Sequence, residues 1–227
     1  AITMRFLGCV AAILAALSAT PAIAAEDDFN IWAGQFVFVD LDEDGEWYVR
    51  GEAQERFTND ADRLGQLLLR SFVGYRINKD VNIGGGYAYI LTDPVGPVEV
   101  NEHRIYQELN VTLVDNGSGF KITSRNRLEQ RFFDESDATG WRYRNLLQVT
   151  APISENNNLV LYTEPFIGLN DVAFNREGVA NWRNFVGVTV PLNENFTLTP
   201  GYLNQYVVRD GEDRMDHIAN VGITARF

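Results

Sequence analysis

From residue 25 onward the chain alternates. In 125–132 the charged residues Arg125, Arg127, Glu129 and Arg131 take every second position, with Asn126, Leu128, Gln130 and Phe132 between them. A period of two describes a strand whose successive side chains point to opposite faces. The same division recurs on 46–57, where Arg50, Glu52, Gln54 and Arg56 oppose Trp47, Val49, Gly51 and Ala53. On 141–151, Arg142, Arg144 and Gln148 oppose Trp141, Tyr143, Leu147 and Val149, and on 159–169 Glu164 opposes Leu159, Leu161 and Ile167. Read this way, the chain predicts strands over 29–39, 46–57, 66–77, 81–92, 102–114, 119–132, 141–151, 159–169, 181–191, 196–208 and 215–227. No stretch after residue 25 has the period of an amphipathic helix of useful length.

These strands are about twice as long as the usual globular strand and match what a tilted strand needs to cross a bilayer. Short polar connectors at 78–80, 115–118, 154–158 and 193–195 alternate with longer ones around 58–65, 93–101, 133–140, 170–180 and 209–214. Short periplasmic turns alternating with long external loops are the pattern of a bacterial transmembrane barrel. The expected fold is therefore all-β, a transmembrane antiparallel up-and-down β-barrel of about 10–12 strands, the range in which an even number is the rule. Ten of the strands, 46–57 to 215–227, would close such a barrel with both ends on the periplasmic side. Residues 29–39 would then be an additional N-terminal strand or lumen segment, or a missed strand would bring the total to twelve.

In a barrel that faces lipid the apolar face points outward and the polar face inward. That assigns to the lumen Arg50, Glu52, Arg56, Arg70, Glu102, Arg104, Glu108, Arg125, Arg127, Glu129, Arg131, Arg142, Arg144, Glu164 and Arg183. Two readings follow. The residues pair with one another and fill a narrow lumen, as interior side chains do in small barrels, or the excess of arginine over glutamate lines a small pore for anionic solutes. Guanidinium suits either, since its fixed charge and forked donors match carboxylate and phosphate. Outward Asn126, Gln130, His103 and Gln107 are expected toward the loop ends of their strands, above the hydrocarbon band.

The N-terminus reads as a cleaved signal peptide over 1–24. Met4 and Arg5 form a basic start, Phe6 to Leu17 is mostly apolar, and Ala22-Ile23-Ala24 supplies a small-residue cleavage site. Residues 1–3, upstream of Met4, are expected to be a start-site artefact. The one cysteine, Cys9, leaves with this segment, so the barrel domain 25–227 holds no disulfide. The chain is acidic, with 31 Asp and Glu against 19 Lys and Arg, which argues against nucleic acid as a partner. The acids cluster in connectors, as in Asp42-Glu43-Asp44 and Asp134-Glu135, whereas most arginines fall inside strands.

The last strand ends on Phe227, preceded at every second position by Ala225, Ile223, Val221 and Ala219. This resembles the C-terminal signal read by the outer-membrane barrel-assembly machinery. The motifs Trp32, Glu102-His-Arg104, Arg125-Asn-Arg-Leu-Glu-Gln-Arg131, Gly201-Tyr-Leu-Asn-Gln205 and the terminal Phe227 together resemble the family catalogued as domain of unknown function 2490. The resemblance spans essentially the whole of 25–227. It implies an outer-membrane β-barrel of a Gram-negative bacterium, with membrane lipids around it, and implies no activity. Nothing in the pattern bears on oligomeric state.

Other chemistry is sparse. Outside the signal segment the chain has two histidines, His103 and His217, both expected on the outward face, and no thiol. Neither stands near a serine at a hydrolase-like spacing, so catalysis is not expected, nor is a metal site or a cofactor. Gly84-Gly85-Gly86 lacks the βαβ context of a dinucleotide site and reads as a place where a strand bends or a large side chain passes. A soluble lipocalin-like binding protein would reverse the two faces and is the alternative architecture. Asp40-Leu-Asp42-Glu-Asp44-Gly45 matches the start of a calcium loop, but the twelfth position is Gly51 where a bidentate glutamate belongs. A tight acidic turn is the expected reading. Asp42→Asn combined with Asp44→Asn should accordingly leave the melting temperature unchanged with or without calcium; a calcium-dependent rise in the parent, lost in the variant, would establish the ion site instead.

Overall fold

A computed structural model describes residues 26–93 and 99–227. The expected signal peptide and Cys9 lie outside the described residues. Eleven strands follow one another: β1 (Glu26–Asp40), β2 (Trp47–Thr58), β3 (Arg63–Arg76), β4 (Val81–Thr92), β5 (Val100–Asp115), β6 (Lys121–Phe133), β7 (Ser136–Pro152), β8 (Asn158–Gly168), β9 (Gly178–Pro191), β10 (Phe196–Val207) and β11 (Arg214–Arg226). Each of the alternating runs in the sequence becomes one of them. They form a single closed barrel in which every neighbour pair is antiparallel except β1 with β11.

Eleven lies within the expected range of about 10–12, but the odd number departs from the even-number rule. Residues 29–39 are neither an accessory strand nor a lumen segment, and no twelfth strand is present among the described residues. Instead β1 belongs to the wall. Its Ile31–Asp40 segment pairs with Phe57–Tyr48 of β2, and Glu26–Phe38 pairs with Arg214–Arg226 of β11. In an up-and-down chain of eleven strands the first and last run the same way, so closure requires one parallel seam. The two ends of the described barrel consequently lie on opposite rims rather than together. The seam is locked at its base by the C-terminal residues: Asp40 N donates to Phe227 O at 3.1 Å and Phe227 N to Phe38 O at 3.0 Å.

The contrast between short turns and long loops is weaker than expected. Connectors 41–46, 77–80, 116–120, 153–157 and 192–195 lie at one rim; 59–62, 134–135, 169–177 and 208–213 lie at the other. The expected loop around 133–140 shrinks to Asp134-Glu135, because Ser136 to Gly140 continue as strand. Polar residues there extend the wall rather than interrupt it. In the first turn, both carboxylate oxygens of Asp42 lie within 3.2–3.3 Å of the donating Trp47 N, and Gly45, at φ 65°, donates its N–H to the Asp42 carbonyl. Asp42 is thus engaged by the turn's own backbone.

The outer face carries a belt of exposed apolar side chains, among them Leu69, Val73, Ile105, Trp141, Val186 and Tyr202. The inner face is less uniformly polar than the alternation suggested. On the β2–β5 wall, Tyr48, Leu68, Phe72, Ala88, Ile90 and Tyr106 form a buried cluster with Phe38 packed against it. On the opposite wall, Trp32, Val160, Phe185, Leu203 and Ile218 form a second, with Tyr162 against it. The charged residues of β5–β8 stand between these clusters.

Room for the first cluster comes from the glycine run of β4. A Cβ on Gly84 would stand 2.4 Å from the Phe72 ring and 2.2 Å from the Val73 carbonyl oxygen; one on Gly86 would stand 2.5 Å from the Tyr106 ring and 2.2 Å from the Ser71 carbonyl oxygen. Gly85 points outward, and its Cβ would approach only the Tyr106 carbonyl oxygen, at an ordinary 3.5 Å. Glycine therefore admits the stacked Phe72 and Tyr106 rings, whose centroids are 5.9 Å apart. Gly84→Ala and Gly86→Ala should each cost about 1–3 kcal/mol by overpacking, while Gly85→Ala should stay within about 0.5 kcal/mol, measured by urea unfolding of the refolded barrel. Equal losses at all three positions would show that backbone freedom, not space, is what the glycines provide.

Candidate functional site

The interior charges are assembled by strand register. Directly opposed residues on adjacent strands bring their side chains together on one face, and several opposed pairs are of opposite sign: Glu52 with Arg70, Glu108 with Arg127, Glu129 with Arg142. A slip of one residue would turn every one of these side chains to the outer face. The outward apolar belt and the inward charges therefore fix the same register.

Each glutamate holds one or more arginines. Glu52 takes Arg70 at 2.5 Å. Glu102 takes Arg104 at 2.7 Å and Arg131 at 2.5 Å. Glu108 takes Arg127 at 2.6 Å and, from three strands away, both terminal nitrogens of Arg50 at 3.1 Å. Glu129 takes Arg142 at 2.5 Å and Arg144 at 2.9 Å, with Arg127 at 3.7 Å. Glu164 takes Arg144 and Arg125, both at 2.8 Å. The Arg50–Glu108 link reaches past two intervening strands and Arg125–Glu164 past one, so the network crosses the interior rather than following the wall. At its centre the Arg127, Glu108 and Glu129 side chains are 1%, 0% and 1% exposed.

Aromatic rings complete the arginine environments. Arg50 lies over Phe72 at 4.4 Å, Arg127 over Tyr106 at 4.6 Å and Arg144 over Phe166 at 4.1 Å. A guanidinium can present its edge to a carboxylate and its face to a ring at once, which an ammonium cannot. This accounts for the near absence of lysine from the strands.

Two of the fifteen expected lumen residues stand apart. Among the described residues, Arg56 and Arg183 have no carboxylate within ion-pair distance. Arg56 donates to the side-chain oxygens of Gln54 and Gln66, and Arg183 to that of Gln205 at 2.7 Å. Both lie over Trp32, at 4.0 and 4.8 Å from its ring centroid. They line a cavity of about 1550 Å³ that opens between connectors 59–62, 169–177 and 208–213. On that rim, the Tyr206 hydroxyl and the Arg209 backbone N–H donate to Asp213 and hold its carboxyl below the usual aspartate range.

Of the four C-terminal residues with the assembly pattern, Val221 is exposed on the outer face and Ile223 partly so, whereas Ala225 is nearly covered. Phe227 is 62% exposed and meets Phe196 edge-on at 6.1 Å. The outward polar residues do not all rise to the loop rim: Asn126 sits mid-strand opposite Asn145, accepting from its amide at 2.8 Å and from the Tyr143 hydroxyl at 2.6 Å. Gln107 and Gln130 exchange hydrogen bonds at 3.1 and 3.0 Å. Mutual pairing, not height, satisfies these groups. His103 and His217 are on the outer face and contact the Tyr87 and Tyr202 hydroxyls at 2.5 and 2.6 Å. Reading charges alone passed over Trp32, Phe72, Tyr106, Phe166 and Gln205, which share the inward parity and could have been found by carrying the alternation through each strand.

Residues 29–216 match the family model described as a protein of unknown function, DUF2490. An uncharacterised protein of Methylorubrum extorquens is 30% identical over 224 residues, an alignment covering 96% of this chain and 95% of that one. No solved structure matches the chain. The match to most of the chain, over the strands that build both the wall and its buried Arg/Glu pairs, makes this β-barrel protein a member of the DUF2490 family.

Proposed function

We propose that this protein is an outer-membrane barrel of non-catalytic role, closed across its waist by the interior network. The observation that carries the reading is the Glu108–Arg127–Glu129 centre: almost wholly inaccessible, tied to β2 by Arg50 and to β7 by Arg142 and Arg144. The apolar clusters on both walls support it, because they add buried inward side chains to those of the network. Membrane placement is supported by the uncovered apolar belt and by a closed wall that leaves no strand edge unpaired. Lipids and the barrel-assembly machinery are the partners this implies. A non-catalytic role is supported by both histidines being on the outer face, away from the interior acids.

The pore is the second reading, favoured by the two arginines without a carboxylate. Reconstitution in a planar bilayer separates them. The parent should give no unitary conductance. Anion-selective steps that shift toward cations when Arg125, Arg127 and Arg131 are all changed to Gln would establish the pore.

Arg127→Met should destabilise the closed barrel toward the lower end of the roughly 3–5 kcal/mol expected for breaking a buried pair, because Glu108 keeps Arg50. Glu108→Gln should cost more, since it leaves Arg50 without a carboxylate and Arg127 with only the longer 3.7 Å contact to Glu129. Denaturant unfolding in detergent reads both, and the reverse order would contradict the network's role as a plug.

Location is tested separately. The parent should fractionate with the outer membrane and run as a heat-modifiable band, and deletion of Phe227 should abolish both. A parent found mainly in the soluble periplasmic fraction would favour the lipocalin-like alternative.

A further inference from the structure

We propose that the loop-side cavity binds a compact dianionic solute, a phosphate monoester or a dicarboxylate, between Arg56 and Arg183. The inference rests on that cavity alone and holds whether the waist below it is closed or open.

The two arginines are held as a ligand site would hold them. A structural arginine is satisfied by a carboxylate, as the other eight of the interior set are. Arg56 and Arg183 are oriented instead by neutral amides, which fix a guanidinium without cancelling its charge. Gln205 is itself fixed, donating to Asp216 at 2.7 Å while accepting from Arg183 Nε. The terminal nitrogens of Arg183 donate to no described protein group, although Glu164 stands directly opposite in the β8–β9 register. That carboxylate is taken by Arg125 and Arg144. Arg183 therefore presents its fork to the cavity, the geometry that matches a carboxylate or phosphate bidentately.

Trp32 sets the spacing. Both guanidinium groups lie over its ring, and Arg183 also lies 4.5 Å from the Phe166 centroid. Two positive charges beside one ring repel each other, and a dianion held between them would relieve that repulsion. Several acids of the cavity do not compete for this role: Asp93 is held by Arg63, Asp210 by Arg176 and Asp216 by Arg214. The opening lies at the connector rim rather than through the apolar outer wall, so a soluble solute is the occupant that fits. About 1550 Å³ leaves room for the body of a molecule attached to the anionic group.

Trp32 also supplies the readout. The other three tryptophans, Trp47, Trp141 and Trp182, are exposed at 48%, 41% and 43%, whereas Trp32 is 7% exposed. In a Trp47→Phe, Trp141→Phe, Trp182→Phe background, Trp32 emission should change saturably on titration with inorganic phosphate or succinate at constant ionic strength. Calorimetry on the parent full-length barrel in detergent provides the same measurement without those substitutions. Arg183→Gln and Arg56→Gln should each weaken binding about tenfold or more, as expected for the loss of a charge-assisted partner. Neither strands a buried carboxylate, so both should remain heat-modifiable. Binding of either probe, lost in the arginine variants, supports the site. No saturable response to phosphate or succinate, a response reproduced by chloride, or undiminished affinity in the Arg56→Gln, Arg183→Gln double variant would overturn it.

Discussion

A charge turned inward in a β-barrel must find an opposite charge or a ligand, because transfer from water to a low-dielectric interior costs several kcal/mol per ion even after relaxation. In this barrel that constraint falls on five buried glutamates, and their arginines come from strands on either side and from beyond the nearest neighbour. The register that hides the carboxylates is the register that pairs them. The outer belt imposes the same choice from the other side: slipping one strand by one residue would expose arginine outward and bury leucine or valine among charges. Two independent penalties select one alignment. Stability and specificity of register thus rest on the same side chains.

Closure with eleven strands adds a second constraint. A parallel seam is unavoidable once the number is odd, and parallel pairing is slightly less favourable per residue. The seam here is long, running from Glu26 to Phe38 against Arg214 to Arg226. It is finished at the base by hydrogen bonds from Asp40 and Phe227, and by Arg226 stacked over Phe38 at 4.1 Å. The C-terminal residues therefore close the barrel as well as ending it. The same cross-section explains the glycines of β4: with aromatic rings filling the wall beneath the network, the facing strand has no space for a Cβ.

Much of this was legible in the chain because period-two alternation is strong where one face is charged and the other apolar. Residues 125–132, 141–151 and 46–57 announce both the strand and its faces. The strand 29–39 was equally legible, but its place was not, because pairing with two neighbours is a property of closure and leaves no local trace. Nor do the partners of individual charges appear in sequence. Arg50 and Glu108 are 58 residues apart, and only the closed wall brings them together. The loop expected around 133–140 is mostly strand for a local reason: polar Ser136, Asp137 and Thr139 resemble a connector, yet strands at a wet rim tolerate such residues. Inward aromatics were missed because an alternating strand was read for its charges, although Trp32, Phe72 and Tyr106 sit at the same parity.

The distribution of unpaired charge gives the interior its direction. Toward the waist, carboxylates hold one to three arginines each, and positive charge is largely neutralised where access is least. Toward the connector rim, Arg56 and Arg183 keep their charge, oriented by amides and rings. Glu164 marks the boundary: opposed to Arg183 in register, it bonds Arg125 and Arg144 instead. Had it turned to Arg183, the network would lose an anchor linking β6 and β7 to β8, and the cavity would lose one of its two open cations. One carboxylate's choice of partner thus separates a layer of paired charges from a charged recess above it, within a single set of inward-facing positions.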